Sequence, residues 1–454
     1  TINASQTLNI YGDFTNNGTY SANGTTAFKN AGTQTISGNV TFADMYIELQ
    51  LIVAIGAEMT IIPGSQVKLK TGYNDVGPSF EDIGNINRAF IDIRGKLIAD
   101  GTSNNEITFT REGTTGYWGI VVFNNSTYTS SISYCKFEYG GVLNFYNLTN
   151  TNFGGLTFYN TNDVTVENCE IYNCEENGIF CYGTSSPNIF NNNIENNGTR
   201  GITCITEETA TEYGYPNIVG NTFSGNSSRA IACYYNSIPT IDRNIINSQI
   251  GNYGDGVYCY YSSPSITNNL IINNSKRGIY CIGSSPTITN NTISNNAEHG
   301  IYCSASSPTI KNTIIWGNNG INEEVSLNTN IDESDPTFVY CDVEGGYVNF
   351  TGNSAGANYD HATLYTNNID LDPIFTDTGS DDYTLQETSP CINAGDPNIS
   401  NNGTDLSENP RVYDAIVDIG AYENQGNTCS DPSTQTESNI TSTSSELGWT
   451  ENGT

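Results

Sequence analysis

Apolar positions in the middle of this chain recur over a long period, far beyond the 3.6 of a helix or the 2 of a strand. The stretch SSPTITNNTISNNAEHGIYC (284–303) repeats SSPSITNNLIINNSKRGIYC (262–281) at an interval of 22 residues. More divergent copies cover 185–204, 215–233 and 238–259; VTVENCEIYNCEENGIFC (164–181) lacks the Ser-Pro, a degenerate copy starts at Ser131, and another begins at 306. Such a period predicts a solenoid in which each unit is one coil and neighbouring coils share a core.

Within a unit, Ile189, Ile218, Ile241, Ile266, Ile288 and Ile310 mark one apolar position, and Ile194, Phe223, Ile246, Ile271, Ile293 and Ile315 a second, five residues on. An interval of five breaks strand alternation, so a bend separates two short strands. The Asn pair fills that bend, since Asn tolerates the left-handed backbone. Stacked coil on coil, Asn192, Asn221, Asn244, Asn269 and Asn291 are expected to form an internal amide ladder. The remaining strand reads G-I-x-C. Its Ile and Cys lie two apart and share the core face, which stacks Cys181, Cys204, Cys233, Cys259, Cys281 and Cys303 in a column. Parallel neighbours about 4.8 Å apart point the same way, a poor geometry for disulfides. Reduced thiols acting as small hydrophobes are the expectation. Cys135 and Cys169 stand at the Asn position of earlier coils; a bond between them and a Cys-for-Asn exchange both fit. The sequence leaves the redox state of Cys174, Cys341, Cys391 and Cys429 open.

Four regions follow from this pattern. Residues 1–88 read as irregular N-terminal coils and a cap, and 89–330 as the parallel β-helix repeats. Residues 331–426 read as a closing module, and 427–454 as the start of another domain. Atypical terminal coils cover the open ends that would otherwise pair edge to edge. The fold class is all-β: a right-handed parallel β-helix.

Composition narrows the picture. Charged residues make up only 14% of 454, against about 25% in ordinary soluble proteins. Fifteen Lys and Arg face 48 Asp and Glu, a net charge of −33, which repels nucleic acid, anionic membranes and acidic polysaccharides. No run of 18 apolar residues supports membrane insertion. The opening Thr1-Ile2-Asn3 reads as mature sequence, so a removed leader or a fragment is expected.

The opening GDFTNNGT (12–19) and the Trp118-Gly119-Ile120 motif resemble secreted β-helix repeat proteins of environmental bacteria. VYCDVEGG (339–346), NIDLDPIFTDTGSDDYTLQETSPCINAGDP (368–397) and NPRVYDAIVDIGAYEN (409–424) resemble the closing module of that group. CSDPSTQTESNITSTSSELGWTENGT, from Cys429, resembles the first strands of a fibronectin type III domain on Bacteroidota surface proteins. The resemblance implies an extracellular or cell-surface location, further residues past Thr454 and secretion by the type IX route. It implies no single activity.

Candidate chemistry is sparse. A lyase acting on acidic sugars needs a cation and a base. The repeats offer Arg200, Arg229, Arg243, Lys276 and Arg277, read as turn residues at non-equivalent positions. A polygalacturonase-type hydrolase needs clustered Asp. Asp381-Asp382 and Glu175-Glu176 read as solvated turn acids, and His299 and His361 as loop residues. Acids of the closing module (Asp370, Asp372, Asp377, Asp381, Asp382) are hard ligands that calcium would accept, without a recognised spacing. No other cofactor or metal is expected. Outward positions beside the cysteines carry Phe180, Thr203, Ala232, Tyr258, Tyr280 and Tyr302, so Tyr258, Tyr280 and Tyr302, with Phe180, form a candidate aromatic row for stacking neutral sugars. The Asn-x-Ser/Thr triplets at Asn147, Asn273 and Asn290 are weak glycosylation signals in so Asn-rich a chain. The reading is a non-catalytic structural or adhesion protein, a rigid spacer facing an extracellular glycan or surface protein. A polysaccharide-processing enzyme is the alternative. A self-associating filament or matrix subunit is the third.

Overall fold

The computed structural model describes residues 6–18, 20–29, 32–71, 88–141, 153–318, 324–328, 334–352, 355, 359–398, 403–413 and 416–426, and the backbone of Gln435–Ser438 and Glu446–Trp449. Short strands fall in turn into three parallel sheets, so that every third strand returns to the same sheet. The first sheet has 14 strands, from Thr7–Ile10 to Asp342–Val343. The second has 13, from Phe14–Thr15 to Val325–Asn328. The third has 14, from Tyr20–Ser21 to Tyr365–Thr366. This is a right-handed parallel β-helix, the hand that parallel crossovers take.

The Asn-Asn pair makes the corner between the third and first sheets in two steps. The first residue takes the left-handed backbone, as at Asn191, Asn268 and Asn290. The second turns its amide inward. Asn192, Asn221, Asn244 and Asn269 each donate Nδ2–H to the Oδ1 of the next member, ending on Asn291, at 2.9–3.0 Å. Each also donates to a core-strand carbonyl, from Val166 through Ile266. The backbone N–H of Cys169 opens the ladder on Asn192, and Thr313 Oγ1 closes it below Asn291. A buried amide with every donor placed carries no desolvation penalty and locks the coil register.

A second ladder runs at the corner after the first sheet. Asn197, Asn226, Gln249, Asn274, Asn296 and Asn318 are all buried; side-chain amides link them at 2.8–3.0 Å, except that Gln249 reaches Asn274 Oδ1 through its backbone N–H at 3.1 Å. Its left-handed partners are Asn196, Gly225, Ser248, Asn273, Asn295 and Gly317. Glu324 ends it, receiving both the backbone and the amide N–H of Asn318. Glu324 stands one coil below Gly300, where a Cβ would lie 2.8 Å from Asn318 Nδ2. Glycine therefore keeps this corridor open in the coil above.

The six repeat cysteines pair in register through the second sheet, from Cys181 and Cys204 to Cys281 and Cys303, and all are buried. They are unlinked. Cys135 and Cys169 are also separate thiols, occupying the ladder position: Cys135 N–H points at Cys169 Sγ, 3.4 Å away. Of the two sequence readings, the Cys-for-Asn exchange is the one present. Cys174, Cys341 and Cys391 are buried and free, and Cys429 lies outside the described residues.

The described residues between 370 and 426 fold back over the outer face of the first sheet. Tyr383 packs on Leu270 and Ile272, while Leu385, Cys391 and Ile419 pack on Ile314. Asp381 accepts from the amides of Asn247 and Asn273, and Asn295 donates to the Tyr383 hydroxyl. Arg411 is wholly buried and donates to the carbonyls of Asp418 and Gly420. Beyond it the described backbone is an antiparallel pair, Gln435–Ser438 with Glu446–Trp449, where the fibronectin-like start was expected.

Candidate functional site

Outward side chains of the second sheet change character along the axis. In the early coils they form a covered apolar cluster of Phe90, Ile120, Val122, Phe153, Phe180 and Tyr182. Phe180 is 1% exposed, with its ring against Phe153 at 5.0 Å. It does not belong to an open aromatic row. Three coils on, Tyr258, Tyr280 and Tyr302 stand in register, Tyr258 nearly covered and the other two half-buried. Their rings meet edge to face, at 5.2 and 4.9 Å with planes 68° and 80° apart.

Guanidinium groups occupy the ring faces. Arg229 lies 3.7 Å from the Tyr258 centroid, and Arg277 lies 4.5 and 4.8 Å from Tyr280 and Tyr302. Arg200 sits 5.6 Å from Tyr234. The flat row expected to stack neutral sugars is therefore absent. What the strip offers outward is phenol hydroxyls and N–H donors.

Arg243 and Lys276 stand elsewhere, but Arg200, Arg229 and Arg277 are equivalent, contrary to the sequence reading. Each precedes the Gly or Ala that enters the second sheet, and the backbone carbonyls of Arg200, Arg229, Asp255, Arg277 and His299 accept, coil by coil, from Gly178, Gly201, Ala230, Gly256 and Gly278. One column thus carries Arg, Arg, Asp, Arg and His. Asp255 bridges its neighbours, 3.2 Å from Arg229 Nε and 3.3 Å from Arg277 Nη1. Glu298 binds Lys276 at 2.6 Å and Arg277 Nη2 at 3.0 Å. Burial raises the Asp255 carboxyl, and the two arginines only partly offset it. Burial also raises Glu298, but Lys276 and Arg277 outweigh it and leave the group below the ordinary range. The Nε–H groups of Arg200 and Arg277 have no acceptor among the described residues.

Insertions border this strip. Successive column cysteines are 23, 29, 26, 22 and 22 residues apart, and the larger insertions lie after Ile205 and after Gln249. They leave the coil at the two edges of the second sheet, the pattern of a binding face. The first carries Glu207, which accepts from the Tyr182 hydroxyl at 2.8 Å. It walls a cleft of about 290 Å³ over the stacked pair Tyr159–Tyr182. The second brings Tyr253 to 5.4 Å from Arg229. A larger groove of about 590 Å³ lies elsewhere, between the third sheet and the closing module, lined by Glu167, Arg243 and Glu408.

The other sequence candidates do not converge. Asp370 accepts from Gly345 N–H, Asp372 from Ile374 N–H, Asp377 from Gly379 N–H, and Asp382 from Thr384. Among the described residues no three His, Cys, Asp or Glu side chains gather to hold a metal ion. Glu175 forms a bidentate pair with Arg88, and His361 stacks on Tyr347. His299 lies at the end of the Arg column, 5.7 Å from the Tyr302 ring. Asn290 is buried, Asn273 binds Asp381, and Asn147 lies outside the described residues. Among the described residues no helix is long and apolar enough to cross a membrane.

The family model described as the right handed beta helix region matches residues 85–244 and 210–369, well over half of the chain. The chain belongs to that family. No curated protein matches it. Similar solved structures include pectate lyase Pel9A (15% identity, 82% of this chain and 88% of that one, TM-score 0.43). The periplasmic alginate epimerase AlgG is 14% identical over 73% and 77%, with a TM-score of 0.39. The A-module of the Azotobacter vinelandii mannuronan C-5 epimerase AlgE6 is 14% identical over 75% and 91%, with a TM-score of 0.35.

Proposed function

We propose that this chain is a non-catalytic, extracellular recognition protein whose second-sheet face binds a polysaccharide carrying acidic groups. One observation carries the reading: Arg200, Arg229 and Arg277 share a single column beside Tyr258, Tyr280 and Tyr302. Coils repeat about every 4.8 Å, so a glycan lying along the axis passes N–H donors from Arg200, Arg229 and Arg277 and the half-buried phenols of Tyr280 and Tyr302 within five coils. Arginine forks suit carboxylate and sulfate oxygens, and the local positive strip works against the net −33 of the whole. Recognition is favoured over chemistry because the strip's two carboxylates are engaged, Asp255 by two arginines and Glu298 by Lys276 and Arg277.

The enzymatic alternative draws on His299, an imidazole beside the Tyr302 phenol at the end of the cation column. A single experiment addresses both. The full chain is titrated with a polyuronate and with a neutral polysaccharide of equal length, while reducing ends and unsaturated products are followed. Polyuronate binding that weakens with salt, without product, supports recognition. Product release establishes the enzyme, and binding of neither polymer overturns the assignment of this face.

A further inference from the structure

The tyrosines of this face continue past the binding strip as an unbroken path of rings. Centroids are 4.9 Å apart from Tyr302 to Tyr280, 5.2 Å to Tyr258, 6.3 Å to Tyr260 and 4.7 Å to Tyr261. The path starts at the half-buried Tyr302, passes the nearly covered Tyr258, 7% exposed, and ends at the open Tyr261, 50% exposed. At its open end Tyr261 lies parallel to Tyr235 of the preceding coil, planes 1° apart and centroids 6.5 Å. Both stand at the same corner with left-handed backbones, φ 49° and 44°. One coil further on, this corner holds Gly283, where a Cβ would come 2.6 Å from the Tyr261 ring. That glycine gives the Tyr261 ring its place on the surface.

We propose that Tyr235 and Tyr261 form a site of oxidative tyrosine coupling, which staples two consecutive coils through a carbon–carbon bond. Each phenol loses one electron and one proton. The two radicals join through ring carbons ortho to the hydroxyls, and the displaced ring hydrogens move to the phenol oxygens as the rings regain aromaticity. Two phenols thus give one biphenol, two protons and two electrons. The oxidant is hydrogen peroxide used by a haem peroxidase, which takes the two electrons and two protons and becomes two waters. An oxidised phenol must shed its proton. A covered ring such as Tyr258 has poor access to water, whereas Tyr261 is open to it. An electron vacancy created anywhere on the path therefore comes to rest at Tyr261, next to its partner.

The test treats the full chain with a haem peroxidase and limiting hydrogen peroxide, then follows dityrosine fluorescence and maps cross-linked peptides in the monomer fraction. The expected product joins the peptides holding Tyr235 and Tyr261, and either Tyr261→Phe or Tyr235→Phe abolishes it while the melting temperature is unchanged. Tyr11 and Tyr215, 68% and 56% exposed, serve as internal controls. Coupling spread over tyrosines in order of exposure overturns the proposal. So does coupling only between chains, a yield unchanged in Tyr261→Phe, or no dityrosine at all.

Discussion

Arg277 and Asp255 stand one coil apart in the same column, paired at 3.3 Å with the carboxylate 1% exposed. Asp255 also holds Arg229, so one buried charge fixes two guanidinium groups against the tyrosine faces. A buried carboxylate that loses a partner pays for its own desolvation, whereas a partly exposed arginine that loses one is rehydrated.

The pair therefore separates binding from stability. Arg277→Gln is expected to weaken polyuronate binding about tenfold, the loss of one charge-assisted contact, and to reduce the salt dependence. Its melting temperature falls modestly, because Arg229 still serves Asp255. Asp255→Asn leaves the strip more cationic and is expected to bind at least as tightly as the parent chain. Isothermal titration of the three proteins at two salt concentrations checks this. Equal affinities in all three would remove the strip from ligand binding.

The first amide ladder makes a second prediction. Asn269 donates to Asn291 and accepts from both the backbone and the side chain of Asn244. Asn269→Ala strands these groups in a dry core and is expected to cost about 1–3 kcal/mol for each one left unpaired. Asn269→Thr should cost less, since Thr313 already accepts at this position one coil beyond Asn291. Denaturant melts of the two variants rank them. A threonine variant no better than alanine would show that the hydroxyl does not replace the amide acceptor.

Much of this was legible in the chain. The period gave the coil, the Asn pair its corner and the cysteine spacing its column, because each rests on a residue identity that recurs. The second ladder was missed, although Asn197, Asn274 and Asn296 stand at a fixed step in the same copies. Gly, Ser and Gln replace Asn at its corners in three coils, at Gly225, Ser248-Gln249 and Gly317, which masks the column. The cation column was misread for a related reason: Arg, Asp and His share no property in a list, and only backbone register shows that they are neighbours. The tyrosines were placed on the correct face. Their edge-to-face packing depends on side-chain torsions, which sequence does not specify. Unequal cysteine spacings were the available sign that loops border this sheet.

Thiol protection follows from the column. Cys204, Cys233, Cys259, Cys281 and Cys303 are each fully buried. An alkylating reagent needs the exposed thiolate. Native chain treated with iodoacetamide at pH 8 should leave these five unmodified, while the same treatment in guanidinium modifies all of them. Peptide mapping reads the outcome. Rapid native labelling at any one would mean that the second sheet opens locally at that coil.

Acidic groups at the C-terminal end set the pH response. Burial pushes Glu324 up to about 8, with Asn318 opposing and Glu344 adding to the shift. Burial likewise pushes Asp342 up to about 7, against the Cys391 thiol and the Leu371 N–H, and Glu423 to about 7. A carboxyl raised on folding holds its proton in the native chain after the unfolded chain has released it. Its stabilising contribution is complete below the unfolded value near 4 and drains away as pH rises through 7 to 8. With about 1.4 kcal/mol for each unit of displacement, the three together make the fall on the order of 10 kcal/mol between pH 5 and 8. Burial raises Glu298 and Asp396 too, but Lys276 and Lys311 outweigh it, so these two act in the opposite sense and only at lower pH. The melting temperature is therefore expected to decline from pH 5 to pH 8. Glu324→Gln keeps an amide acceptor for Asn318 and cannot ionise, so it should flatten the upper part of that decline. A melting temperature that rises across the interval, or a Glu324→Gln profile parallel to the parent's, would mean that the carboxyl at the end of the second ladder is ionised in the folded chain.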